Sequence, residues 1–178
     1  LSTAFVIIST LFFLIKNIIS QDSKNFYKFS LHNLPFQILI FLIFIQIICG
    51  AFVSGLDAGK IYQTWPLMGN SFFPDDVVSI ELKTLTELDN HSLVQFYHRN
   101  LAYIIIIYAL FLSIYIFKKR FTNLFLTLKI LLIFLLIQAI LGILTLISGL
   151  NILLASMHQI TSVLLVLSAL NLYYLRTK

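Results

Sequence analysis

Apolar residues along this chain gather into five long runs, separated by short polar clusters and one long polar loop. The runs are Leu1 to about Ile19, Leu34 to about Leu56, about Phe96 to Phe117, about Phe121 to Ser148 and about Asn151 to Leu175. Each is long enough, or nearly so, to cross a hydrocarbon core, which takes about 20 helical residues. None alternates with a period of two. A chain inside lipid must also pair its own backbone groups, so the runs predict helices rather than strands. Pro35 falls in the first turn of the second run, where its missing N–H costs little. The expected fold is an all-α integral membrane protein of five transmembrane helices, the last four forming a four-helix bundle. Residues 57–92 form the long loop, and Val77 to Leu88 reads as a short surface helix within it. No internal repeat is apparent.

Composition narrows the class. With 60% apolar and 11% charged residues, a soluble domain of 178 residues would lack the polar surface to cover its core. The net charge of +5 does not point to nucleic acid, because the basic residues flank apolar runs, where they act as topology signals and headgroup contacts. Lys16, Lys24 and Lys28, then Lys118, Lys119 and Arg120, then Arg176 and Lys178 all fall on one side. The 57–92 loop opposes them, with six acidic residues (Asp57, Asp75, Asp76, Glu81, Glu87, Asp89) against Lys60 and Lys83. The loop is therefore expected outside and the C-terminus inside. Cys49, the single cysteine, forms no intrachain disulfide and reads as a small buried hydrophobe. The sequence opens at Leu1, already inside an apolar run and without a charged leader, and reads as the C-terminal part of a longer protein.

Two histidines stand out. His98 lies at or just before the first turn of the third run, and His158 near the start of the fifth. The 60 residues between them allow one helix down, one back and entry into a third, so both rings enter from the same side at similar depth. Ionisable residues in spanning segments are costly and invite a functional reading. Two imidazoles on parallel helices suit the axial positions of one haem, which makes the bundle a haem-binding one and the iron the expected metal. The alternative is a pair of histidines that hydrogen-bond neighbouring helices or, for His98, meet solvent. Gln95, Gln159, Thr161 or a backbone carbonyl is available to accept from the second ring nitrogen. His32 and His91 read as solvated loop residues.

Arg99 offers either a headgroup contact or a fork for a haem propionate, with Lys60 a weaker candidate. Tyr62 and Trp65 sit in a loop too rich in aromatic and apolar residues to be a bare linker. The loop is expected to fold back as a cap, with these two rings at headgroup level or against a cofactor edge. Gly142 and Gly149, seven residues apart, are expected to share one face of the fourth helix, and Gln46 and Gln138 to make interhelical hydrogen bonds. A phosphate loop, a Ser–His–acid set, a His-Glu-x-x-His motif and an intramembrane carboxylate are all missing from the sequence.

Gly50–Gly59 followed by Tyr62-Gln63-Thr64-Trp65-Pro66-Leu67-Met68 resembles the outer-loop signature of the haem A synthase family. Val94-Gln95-Phe96-Tyr97-His98-Arg99 resembles its histidine–arginine motif, and Gln138–Leu146 with His158-Gln159 its following helices. The likeness covers roughly residues 37–170 and is closest to the alphaproteobacterial and mitochondrial branch. It implies an oxidoreductase with two similar four-helix halves that converts a methyl group of haem O to the formyl group of haem A for cytochrome oxidase. Residues 1–33 would be the last helix of the first half plus a loop, and residues 34–178 the second half. That half would hold haem b through His98 and His158, without catalytic residues of its own, so the chain alone is expected to be inactive. The resemblance implies a bacterial inner or mitochondrial inner membrane. Its partners would be the lipid bilayer, haem O, haem O synthase, oxidase assembly factors and a second copy of the chain. Two other readings stay open: a b-type cytochrome or anchor subunit that carries electrons, and a structural or assembly protein without a cofactor.

Overall fold

The computed structural model describes residues 2–21, 23–24, 30–77 and 88–177. They form helices α1 (Ser2–Ser20), α2 (Leu34–Gly55), α3 (His91–Lys118), α4 (Phe125–Ile147) and α5 (Ile152–Arg176). All five are long and apolar enough to cross a membrane. The all-α reading therefore holds, and the helix limits match the apolar runs closely except at α3. The surface helix expected within 77–88 lies outside the described residues.

α3 begins at His91 rather than near Phe96, because Asn90 caps it, its side chain accepting from the Leu93 amide at 3.1 Å. Leu93, Val94 and Gln95 are then buried beneath the loop. Asn151 caps α5 in the same way, accepting from the amides of Leu153 and Leu154. His98 consequently sits two turns inside its helix, and not at or before its first turn as expected.

α2 pairs closely with α3, and α4 with α5. α5 also touches α2, α3 touches α4, and α1 packs on α5 and α2. α3 and α5 thus stand diagonally across a four-helix bundle. The buried apolar core lies mainly toward the end away from the 57–92 loop, where Leu39 and Ile43 of α2, Leu112 and Ile116 of α3, and Leu170 and Leu172 of α5 meet. Lipid tails are as apolar as leucine, so close packing and interhelical hydrogen bonds hold such helices together. Tyr108 donates to the Pro35 carbonyl at 2.8 Å and Gln37 to the Tyr173 hydroxyl at 3.0 Å. The Lys24 ammonium lies over the Tyr174 ring, 3.9 Å from its centroid, and donates to the Tyr174 carbonyl.

α4 ends in a left-handed turn. Gly149 and Leu150 have φ of 72° and 63°, and the Leu150 amide returns to the Thr145 carbonyl at 2.9 Å. Gly149 is thus part of the cap beyond the helix, and it does not share a helical face with Gly142. Leu150 reaches the loop: a Cβ built on Gly59 would stand 2.9 Å from Leu150 Cδ2. The loop therefore crosses the bundle mouth from α3 to the α4–α5 turn.

Candidate functional site

His98 lies seven residues into α3 and His158 six residues into α5. At 1.5 Å per residue both are about 10 Å below the helix starts. Each ring brings its Cε1 corner against a glycine of the paired helix. A Cβ built on Gly50 would meet His98 Cε1 at 3.1 Å, and one on Gly142 would meet His158 Cε1 at 3.0 Å.

A glutamine one turn before each glycine grips the same histidine. Gln46 donates to the His98 carbonyl at 3.0 Å, and its amide nitrogen lies 3.4 Å from His98 Nε2. Gln138 donates to the His158 carbonyl at 3.0 Å, and its amide nitrogen lies 3.3 Å from His158 Nε2. The main-chain carbonyl of Gln138 accepts from His158 Nδ1 at 3.1 Å. A carbonyl only accepts and an amide NH2 only donates, so Nδ1 carries the proton and Nε2 keeps its lone pair. His98 Nδ1 is buried without a hydrogen-bond partner.

This arrangement reveals an internal repeat that the sequence reading missed. Gln46 and Gly50 stand nine and five residues before the end of α2, and Gln138 and Gly142 nine and five before the end of α4. Helix pair α2–α3 thus repeats as α4–α5. The visible signal was Gln-x-x-x-Gly occurring twice, each time followed by a histidine two turns into the next helix. Of the other residues weighed as partners of the rings, Gln95 donates to the Tyr62 carbonyl at 2.8 Å and Gln159 is exposed.

Arg99 spends its fork on the loop. One terminal nitrogen donates to the carbonyls of Thr64 at 2.8 Å and Leu67 at 3.2 Å, the other to that of Tyr62 at 2.8 Å. The Tyr62 hydroxyl donates to Asp76 at 2.8 Å, and Ser92 donates to the same carboxylate at 2.6 Å, tying the far end of the cap to α3. Trp65 lies exposed on the cap, as does Lys60, which pairs with Asp57. His32 and His91 are exposed. Among the described residues no group of three or more His, Cys, Asp or Glu is placed to hold a metal ion.

The cap carries its own pH dependence. The Ser71 hydroxyl and the Asn70 amide hold Asp75 below the ordinary carboxylate value. Slight burial pushes Asp76 upward, but the hydroxyls of Ser92 and Tyr62 outweigh it and the net shift is downward. Depressed folded values give stability that is present above the unfolded value and lost as pH falls through the folded one. Fluorescence of Trp65, the single tryptophan, should therefore stay flat from neutral pH down to about 4 and change only below it. A transition centred near pH 6 would show that other groups hold the cap.

Residues 1–170 match the family described as cytochrome oxidase assembly protein, COX15-CtaA. The chain is 40% identical over 177 residues to "Heme A synthase" of Pelagibacter ubique (strain HTCC1062), covering 98% of this chain and 50% of that relative. It is 40% identical over 140 residues to "Heme A synthase" of Wolbachia sp. subsp. Brugia malayi (strain TRS), covering 78% of this chain and 40% of that relative. It is 37% identical over 138 residues to "Heme A synthase" of Rickettsia prowazekii (strain Madrid E), covering 78% and 41%. No solved structure matches. The chain spans about half the length of the curated relatives it matches. Five spanning helices, a capped mouth and this agreement along nearly its whole length place the chain in the COX15-CtaA family of integral membrane cytochrome oxidase assembly proteins, the haem A synthase family.

Proposed function

We propose that this chain is the haem b-binding half of a haem A synthase, the whole enzyme oxidising a methyl group of haem O to the formyl group of haem A. The observation that carries the haem reading is the pair of glycine-backed imidazoles on diagonal helices, each with a lone pair on Nε2. Neutral imidazole is the ligand form, and a hydrogen bond from the second ring nitrogen is the usual support for it. His98 and His158 would hold the iron. Gly50 and Gly142 keep the rings from being pushed off their helices. Haem b in such a site supplies one-electron transfer. The cap, fixed by Arg99 and Gln95, shields the mouth from water, with Tyr62 and Trp65 the aromatic residues nearest in sequence to those contacts. The loop end would face the outer side and the Lys118–Arg120 end the inner side, a reading that the distribution of basic residues supports.

The test has two stages. Ferric haem b titrated into the purified chain in detergent should give one equivalent of a low-spin, six-coordinate spectrum. The longer protein containing this chain, supplied with haem O in membranes, should then yield haem A. A spectrum without conversion in the longer protein would favour a b-type electron carrier. A well-folded chain that takes up no haem would remove the ligand assignment.

A further inference from the structure

We propose that Gln46 and Gln138 are positioning residues that set the tautomer and ring orientation of His98 and His158, and that Gln138, braced by Thr161, holds the firmer of the two ligands. This rests on the haem-ligand reading above. In each repeat the glutamine and glycine are four residues apart, so they share one helical face. The glutamine grips the histidine, and the glycine one turn on leaves room for the ring. A carboxamide has two N–H donors, so it can hold the histidine carbonyl and still direct the second hydrogen toward Nε2. The first bond fixes the register of the two paired helices. The second favours a lone pair on Nε2 while the site is empty and must give way when that lone pair meets iron, so the bond to the histidine carbonyl is the one that would stay with haem bound.

The repeats differ one layer out. The Thr161 hydroxyl donates to Gln138 Oε1 at 2.6 Å. Three residues after His98 the corresponding position is Leu101, and Gln46 Oε1 is buried without a partner. His158 Nδ1 also has an acceptor in the Gln138 main-chain carbonyl, whereas His98 Nδ1 is buried without a partner. A restrained carboxamide loses less freedom on holding its partner than a free one does, so the α4–α5 grip is the tighter.

The purified chain is titrated with ferric haem b beside Gln46→Met and Gln138→Met, which keep side-chain volume but remove the donors. Optical and EPR spectra are recorded throughout, the low-spin EPR signal reporting the relative orientation of the imidazole planes. Outer partners of metal-bound histidines typically account for about 10–100-fold in affinity. Each variant should weaken binding within that range and raise the high-spin fraction, Gln138→Met more than Gln46→Met. Thr161→Val, a milder change, should weaken binding less than Gln138→Met and shift the EPR signal in the same direction. It carries the test if either methionine variant loses its wild-type helix content. His98→Ala and His158→Ala are run alongside. If they lose haem while the glutamine and threonine variants keep wild-type affinity and EPR, the positioning role is wrong and the ligand reading stands. If the alanine variants keep haem, both fall. If Gln46→Met costs more than Gln138→Met, the bracing by Thr161 is wrong.

Discussion

His158→Ala is expected to lower the affinity of the chain for ferric haem b by more than about 100-fold, and His98→Ala to do the same, since an axial ligand counts for more than its hydrogen-bonding partner. The low-spin band should give way to a high-spin, five-coordinate species in whatever haem remains. Each ring lies on a glycine, so its removal opens a space beside Gly50 or Gly142 that no neighbouring Cβ fills. Added imidazole should enter that space and restore the six-coordinate spectrum. This rescue separates ligation from packing. A histidine that only joined two helices would, on truncation, reduce helix stability without changing the spectrum, and free imidazole would restore nothing. Both losses should pass that bound, because both histidines occupy the same place in repeated helix pairs. A spectrum that survives one alanine and not the other would mean that the iron has a ligand outside this pair.

Most of the architecture was legible because a bilayer imposes a simple grammar. Runs of about 20 apolar residues have one structural outcome in lipid, and the basic clusters at Lys118–Arg120 and Arg176 mark their ends. The histidines were legible for the same reason: polar rings in such runs are conspicuous. Contacts that depend on which residue meets which across helices were less so. Gln46 and Gln138 were read as interhelical hydrogen-bonding residues, and they are, but nothing in a single helix says that the partner is the backbone of a histidine. The repeat was hidden because the residues between its markers differ. Ile47-Ile48-Cys49 stands in one copy and Ala139-Ile140-Leu141 in the other, and the connections within the pairs differ greatly in length. The early start of α3 followed from one side-chain cap, at Asn90 in a polar stretch with no apolar periodicity to mark it. Gly149 was misplaced because spacing alone cannot tell a glycine within a helix from one that ends it.

Arg99→Leu should release the cap. Three hydrogen bonds from one guanidinium hold the carbonyls of Tyr62, Thr64 and Leu67, and a bond to a charged group contributes about 1.5–3 kcal/mol. Gln95 keeps its own bond to Tyr62, and Asp76 still ties Tyr62 to Ser92, so the cap should loosen rather than detach. A net loss of about 3 kcal/mol corresponds to roughly 100-fold faster hydrogen exchange at cap amides closed by local bonds. The amides to follow are Met68, which donates to the Ser71 carbonyl at 2.7 Å, and Gly69, which donates to the Thr64 hydroxyl at 3.1 Å. The same variant distinguishes the cap from the alternative task of pairing with a haem propionate. A propionate partner should be replaced in part by Arg99→Lys, which keeps the charge, and either variant should leave exchange in the haem-free cap unchanged. A fork spread over three carbonyls is poorly replaced by a single ammonium, so Arg99→Lys should loosen the haem-free cap almost as much as Arg99→Leu does. Unchanged exchange at Met68 and Gly69 in haem-free Arg99→Leu, together with weakened haem binding that lysine restores, would assign Arg99 to the cofactor and remove it from the cap.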